Sequence, residues 1–312
     1  MAIKTLREAI SYYKTVARAE LKSERTIEWT SRTAERFADF LGGDPLLSEI
    51  NANDLRRFIA ALRQAKKYAH HPWLKPQDKP LSSTSLNCYT RGVRSIWGFF
   101  LREGLIPVNP MLQVKPPKAT KKVINTFTEA DLKKLLAQPH KDTPTGYRDY
   151  CMMFAMLDSL CRISELVGLK LDDINLEDRT MRVTGKGDKQ RLIPIGNRTA
   201  GLLARYVSKY RPRDRAPNLF LTRSGRPMTK NKVEKIMRAY GKQAGIKGVR
   251  CSPHTLRHTG SVIFLKNGAN AFSLQRILGH TSLEMTRIYC ALSDADVREA
   301  HKRFSPGDRL DL

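Results

Sequence analysis

The feature that most limits how this chain can fold is a ten-residue run, Gln113-Val-Lys-Pro-Pro-Lys-Ala-Thr-Lys-Lys122. Adjacent prolines fix two φ angles, remove two backbone donors and keep the preceding residue out of the α region. Neither a helix nor a central strand can run through such a segment. It reads as an extended linker, and its lysines suit a path along a phosphate backbone. The run cuts the 312-residue chain into two pieces, residues 1–112 and residues 123–312, each long enough for one modest core.

The first piece reads as helical. Leu6, Ile10, Tyr13, Val16 and Ala17 recur at helical spacing, and a second apolar face runs through Ile27, Phe37 and Leu41 to Gly42-Gly43. Asn51 caps a third helix, with Asp54 three residues on and Leu55, Phe58, Ile59 and Leu62 behind it. Ser82 or Ser83 opens a fourth, carrying Leu86, Tyr89, Val93, Ile96, Trp97 and Phe100 to Gly104. His70 to Leu81, rich in Pro and Lys, reads as loop, with His70-His71 an exposed pair rather than metal ligands. Beyond the linker Thr128 caps a helix in a Thr-x-x-Asp arrangement. More helices follow, interrupted once by a β signal: Met181-Arg-Val183, a Gly-Lys-Gly-Asp turn, then Arg191-Leu-Ile-Pro-Ile195. The expected fold class is mainly α, with a small antiparallel β-hairpin in the second piece.

Charge narrows the partners. Fifty-six Lys+Arg against 30 Asp+Glu leave a net charge of +26. Residues 1–120 hold 20 basic and 11 acidic side chains, so both halves carry an excess, which fits a polyanion held along the whole molecule better than one local patch. An anionic membrane surface would also attract this charge. No apolar run approaches the ~18 residues of a spanning helix, however, and no signal-peptide pattern opens the chain. Five cysteines without a C-x-x-C pair argue for a reducing, cytoplasmic setting and against a disulfide framework or a zinc site.

The chemistry concentrates between Cys251 and Cys290. There stand Ser-Pro-His254-Thr-Leu-Arg257-His258, then Leu278-Gly279-His280, then Thr286-Arg-Ile-Tyr289. Upstream are Arg162 in Cys-Arg-Ile-Ser-Glu165-Leu and Lys186 in Thr-Gly-Lys-Gly-Asp-Lys. Arginine binds phosphate oxygens bidentately and stays charged, a tyrosine can be a covalent nucleophile, and histidine or lysine can move protons. Pro253 suits a first helical turn, and three-residue spacing puts His254 and Arg257 on one helix face, aimed at one point. Arg162 can equally pair internally with Glu165. His254 and His258 invite a zinc reading, but the glutamate of His-Glu-x-x-His is replaced by Thr255, which leaves His258 as support for the fold. The Gly-Lys-Gly turn lacks the earlier glycine and the following Ser/Thr of a phosphate-binding Walker loop.

Arg162, Lys186, His254, Arg257, His280 and Tyr289, in this order and spacing, resemble the active-site set of the tyrosine recombinase (phage integrase) family, in its Xer-like two-domain form. The likeness extends from about Ala119 to the C-terminus. One departure is Leu160, where the family usually has glycine. The resemblance implies a helical DNA-binding domain, the linker, and a mostly helical catalytic domain, closing together as a clamp around duplex DNA. It implies that Tyr289 forms a 3′-phosphotyrosyl bond, that Arg162, Arg257 and His280 stabilise the phosphate, and that His254 assists as acid/base. It implies too that Lys186 protonates the leaving oxygen, with Lys189 and Lys170 nearby as alternatives. No metal and no cofactor are needed. Expected partners are double-stranded DNA with specific crossover sites, three further copies of the chain joined through the C-terminal tail, and accessory DNA-bending proteins. A type IB topoisomerase and a non-catalytic DNA-binding protein of the same fold are the rival readings. Within recombination the tasks open are integration and excision of a mobile element, Xer-type dimer resolution, and inversion.

Overall fold

A computed structural model describes residues 3–67, 75, 77–118, 125–213, 216–279, 282, 286, 289, 302 and 305, and of Lys186 the backbone only. The chain divides into two compact units, residues 1–122 and 123–312.

Four helices build the first unit: α1 (Leu6–Ala19), α2 (Glu24–Phe40), α3 (Ala52–Gln64) and α4 (Ser83–Arg102). Each starts where a short polar side chain satisfies a free backbone N–H. Thr5 and Glu8 form a reciprocal box at α1, Asn51 and Asp54 another at α3, and Ser82, rather than Ser83, caps α4. Their apolar faces meet in a core around Leu6, Phe37, Leu55, Phe58, Ile96 and Trp97. Gly92 lets α4 approach α2, because a Cβ there would lie 2.8 Å from the Thr33 methyl.

Two expectations need correction. Gln77–Pro80 is not loop: it forms β2 against β1 (Lys66–Lys67), an exposed antiparallel ribbon. The extended connection also begins later than Gln113. That residue closes a 3₁₀ turn, Val114 is buried, and the Pro117 carbonyl accepts from Asn87 at 2.8 Å. His70 and His71 lie outside the described residues.

The second unit holds α5 (Glu129–Ala137), α6 (Pro144–Ser159) and α7 (Ile163–Gly168), then the strands β3 (Ile174–Asn175), β4 (Thr180–Thr184) and β5 (Gln190–Pro194). Helices α8 (Asn197–Arg205), α9 (Lys230–Gln243), α10 (Pro253–Lys266) and α11 (Ala271–Leu278) follow. Thr128 and Asp131 box the start of α5. The sheet runs β3-β4-β5, all antiparallel, with Met181 opposite Ile193 and Val183 opposite Arg191. Met181, Val183 and Ile193 are fully buried, while Arg182 and Leu192 face outward, the alternation of a half-buried strand. The β4–β5 turn is tight, with Gly187 at φ 73° and Asp188 at φ 58°. Helix α6 is buried on most of its surface and ends at Leu160, which stands in the left-handed region at φ 55°, ψ 20°. Gly260 lets α10 press against that end, since a Cβ there would collide with the Leu157 carbonyl. Among the described residues no helix is long and apolar enough to cross a membrane, and no three His, Cys, Asp or Glu side chains are grouped to hold a metal ion.

Candidate active site

Three helix ends in the second unit point at one place: the left-handed end of α6, the start of α7, and the left-handed end of α11 at Gly279. Helix ends leave carbonyls without intrahelical partners. Arg257, on α10 and 5% exposed, ties two of them together, donating through Nη1 to the Leu160 carbonyl at 2.6 Å and through Nη2 to the Leu278 carbonyl at 2.9 Å. Burial, and then the charge of Arg162, lowers its pKa to about 10. The guanidinium is therefore held by carbonyls, and among the described residues no carboxylate pairs with it directly.

Arg162 occupies the N-cap position of α7, and its side chain is 34% exposed. Its backbone N–H donates to Glu165 Oε2 at 2.7 Å, its Nη1 donates to Glu165 Oε1 at 3.0 Å, and its Nη2 reaches the Gly279 carbonyl at 3.5 Å. The internal pair with Glu165 and the convergence on Arg257 both hold. Glu165 is almost fully buried, yet its carboxyl sits below its ordinary range. Burial alone would raise it; the hydrogen bonds and charges of Arg191 and Arg162 outweigh that.

Arg191 is the residue that the sequence reading missed. From β5 it clasps Glu165 with both terminal nitrogens, at 2.8 and 3.0 Å, and donates through Nε to the Ile277 carbonyl at 2.9 Å. It thereby fixes the hairpin to both α7 and the end of α11. Gly279 is needed twice over: its φ is 62°, and a Cβ would lie 3.0 Å from the Arg191 guanidinium. A signal existed, since Arg191 alternates with Ile193 on the inward face of the strand, where an arginine is out of place without a partner.

Tyr289 is 8% exposed and packs with Leu160, Leu274 and Leu278. Its hydroxyl lies 2.6 Å from His258 Nδ1. Burial raises the phenol's pKa; the Arg257 charge, a hydrogen bond with Ser261 and the Arg162 charge pull the other way without reversing it. His258 is shifted down, by burial first and then by the charges of His254 and Arg257. His258, expected to support the fold, thus faces the tyrosine. His254 is exposed whereas Arg257 is buried. Lys186 stands in the β4–β5 turn, and the adjoining Gly185 N–H donates to the Lys189 carbonyl at 2.8 Å. His280 and Cys290 lie outside the described residues. Cys151, Cys161 and Cys251 are buried thiols pushed up by desolvation.

The phage integrase family model matches residues 125–296. The tyrosine recombinase XerD of Listeria monocytogenes serotype 4b is 30% identical over 292 residues, spanning 91% of this chain and 93% of that protein. The XerD of Pseudomonas aeruginosa is 36% identical over 244 residues, 76% of this chain and 80% of its own. Among solved structures, the Tn1549 transposon integrase in complex with transposon right end DNA matches 95% of this chain and 99% of its own with a TM-score of 0.76, at 19% identity.

Proposed function

This chain belongs to the phage integrase family and is a tyrosine-type site-specific DNA recombinase, and from that premise we propose how its residues divide the chemistry. Tyr289 attacks the scissile phosphate, forms a 3′-phosphotyrosyl bond and releases a 5′-hydroxyl. Arg162 and Arg257, with His280, stabilise the negative charge on the non-bridging oxygens of the five-coordinate transition state. His254 assists as acid/base and Lys186 protonates the leaving oxygen. A 5′-hydroxyl from another strand reverses the step. The covalent link conserves the energy of the broken bond, so the reaction runs without ATP or metal. The observation that carries this reading is the placement of Tyr289, whose ring packs on Leu160 and Leu278, the two residues whose carbonyls hold Arg257.

The two units are proposed to close around the duplex, with four copies assembling through the C-terminal tail and accessory bending proteins assisting. The basic excess in both halves supports the wrapped duplex. With 6–10 phosphate contacts, affinity should fall roughly 10³–10⁵-fold between 50 and 200 mM salt. The task we propose is integration and excision of a mobile element. Xer-type dimer resolution is the second reading, and the likeness to XerD over nine-tenths of both chains favours it. Nicked duplexes tiled across the DNA that flanks the gene test the reading. Wild-type protein should become covalently attached to one of them through Tyr289, and Tyr289→Phe should bind that duplex as well yet form no adduct. An adduct mapped to another residue would overturn the assignment. Repeats bounding an element at the mapped site would favour the mobile-element task, and a single chromosomal site the other.

A further inference from the structure

We propose that His258 is a further catalytic residue of this enzyme: through Nδ1 it takes the proton from Tyr289 as the tyrosine attacks, and returns it when the strand is rejoined. The inference rests on the reading of Tyr289 as the nucleophile, and adds the group that makes the phenol reactive.

The geometry supplies the contact. Nδ1 and the phenol oxygen are 2.6 Å apart, within the reach a general base needs before any substrate is bound. The contact joins α10 to a tyrosine 31 residues further along the chain. It is half-buried, and the rings are tilted by 41°, so the imidazole meets the hydroxyl at its edge rather than stacking on the ring. The ring of Tyr289 packs with Leu160, Leu274 and Leu278.

The electrostatics agree with a base that is free of its proton. Among the described residues, the charged or titratable groups acting on His258 are His254 and Arg257 on its own helix, and with burial they all disfavour the imidazolium. Tyr289 faces it, and Arg257 and Arg162 act on Tyr289. Burial keeps the phenol protonated at neutral pH, so attack needs a base; Ser261 and Arg257 also hydrogen-bond the phenol, but of these three groups His258 is the one with a basic nitrogen to take the proton.

The step balances. The O–H bond of Tyr289 breaks, its proton passes to Nδ1, and the oxygen's electron pair forms the new O–P bond. The bond from phosphorus to the 5′-oxygen breaks, and that oxygen takes a proton from Lys186 in the proposed reading. On rejoining, the 5′-hydroxyl gives its proton back to Lys186 as its oxygen attacks phosphorus, the O–P bond to the tyrosine breaks, and His258 returns its proton to the tyrosine oxygen.

The test uses full-length protein and the nicked duplex that wild type attacks, made also with sulfur in place of the bridging 5′-oxygen. His258→Ala should bind the duplex as wild type does but cleave about 10²–10⁴-fold more slowly. Its rate should climb with pH towards phenol ionisation, where the wild-type rate has levelled off, and imidazole in solution should restore part of it. Sulfur should not rescue it, because the defect is at the nucleophile, whereas Lys186→Ala should recover on the sulfur substrate. His258→Gln, which can hydrogen-bond but cannot hold the extra proton, should remain slow. Wild-type rates in His258→Gln, or a His258→Ala pH profile parallel to wild type, would overturn the proposal and reduce His258 to a packing residue. Should both variants unfold, the wild-type profile decides: a rate without an acid limb below the ordinary histidine range overturns it. Failure of wild type to attach through Tyr289 is a different result, and would strike the proposed nucleophile itself.

Discussion

Asp149 and Glu165 are both buried in the second unit, and both receive arginine. Around Asp149 the charges close. Arg148 donates to Oδ1 through Nε at 2.9 Å and Nη2 at 2.7 Å, Tyr240 donates to Oδ2 at 3.1 Å, and both members of the ion pair are under 8% exposed. Around Glu165 they do not close. Arg162 and Arg191 share the one carboxylate, and Arg257 beside Arg162 donates to two carbonyls and makes no ion pair among the described residues. Three guanidinium groups thus face one carboxylate, and Arg162 is a third exposed. In the first cluster one cation matches one carboxylate. The second carries surplus positive charge on rigid supports, which is what a phosphate passing through a more highly charged transition state requires. A buried carboxylate marks structure when its charge is matched, and a site when it organises more cations than it neutralises.

Removing one cation from each cluster should separate these roles. Arg148→Ala leaves Asp149 buried and unpaired, a change that costs about 3–5 kcal/mol in such settings. The variant should unfold at much lower denaturant, while the fraction still folded cleaves normally. Acid sharpens the contrast. Burial raises the pKa of Asp149 despite Arg148, so its ionisation is a burden that lifts as pH falls through a value above the ordinary 3.8. The Arg148→Ala deficit should therefore begin to narrow above that range. Glu165 is shifted down, so its contribution is complete above 4.5 and is lost only as pH falls through its lower folded value. A Glu165→Gln deficit should persist to more acid pH than the Arg148→Ala deficit; the reverse order, in denaturation at stepped pH, would break the comparison.

Arg162→Ala should do the opposite of Arg148→Ala. Its side chain is partly exposed and Glu165 keeps Arg191, so stability should change little. Cleavage should fall about 10²–10³-fold, the usual loss for one donor to a developing oxyanion. A large loss of stability with unchanged cleavage per folded molecule would make Arg162 a structural cation like Arg148.

Much of this could be read from sequence where the rule is local. The boxes at Asn51 and Thr128, the paired segments on either side of Lys186 and the grouping of Arg162 with Glu165 all depend on residues within a few positions. What escaped depends on distant partners or on too few residues. Strand β3 is two residues long, and β2 is wholly exposed, so neither carries a hydrophobic alternation. The role of Arg191 rests on a carbonyl 86 residues away, and that of His258 on a hydroxyl 31 residues away. The glycine expected at Leu160 is explained only by the backbone, which turns left-handed there.

Leu160 also gives the smallest and most exacting test, because two effects oppose each other at one residue. A non-glycine residue in the left-handed region costs roughly 1–2 kcal/mol, and Leu160→Gly would relieve it. The same substitution removes a side chain that is 1% exposed and packed against Leu274, Leu278 and Tyr289. Truncating a buried leucine costs about 2–5 kcal/mol, so packing should win and the variant should lose stability on the order of 1–3 kcal/mol. Leu160→Ala keeps the strain and loses the packing, so stability should fall in the order Leu, Gly, Ala. The Leu160 carbonyl, which receives Arg257, is retained in all three, so the surplus-charge cluster should keep its frame. Cleavage should fall less than it does in Arg162→Ala, through a looser Tyr289 ring alone. Equilibrium denaturation of the three proteins decides it. A glycine variant more stable than wild type would mean that strain outweighs packing at this turn, and that the leucine is kept for its contact with the tyrosine rather than for the fold.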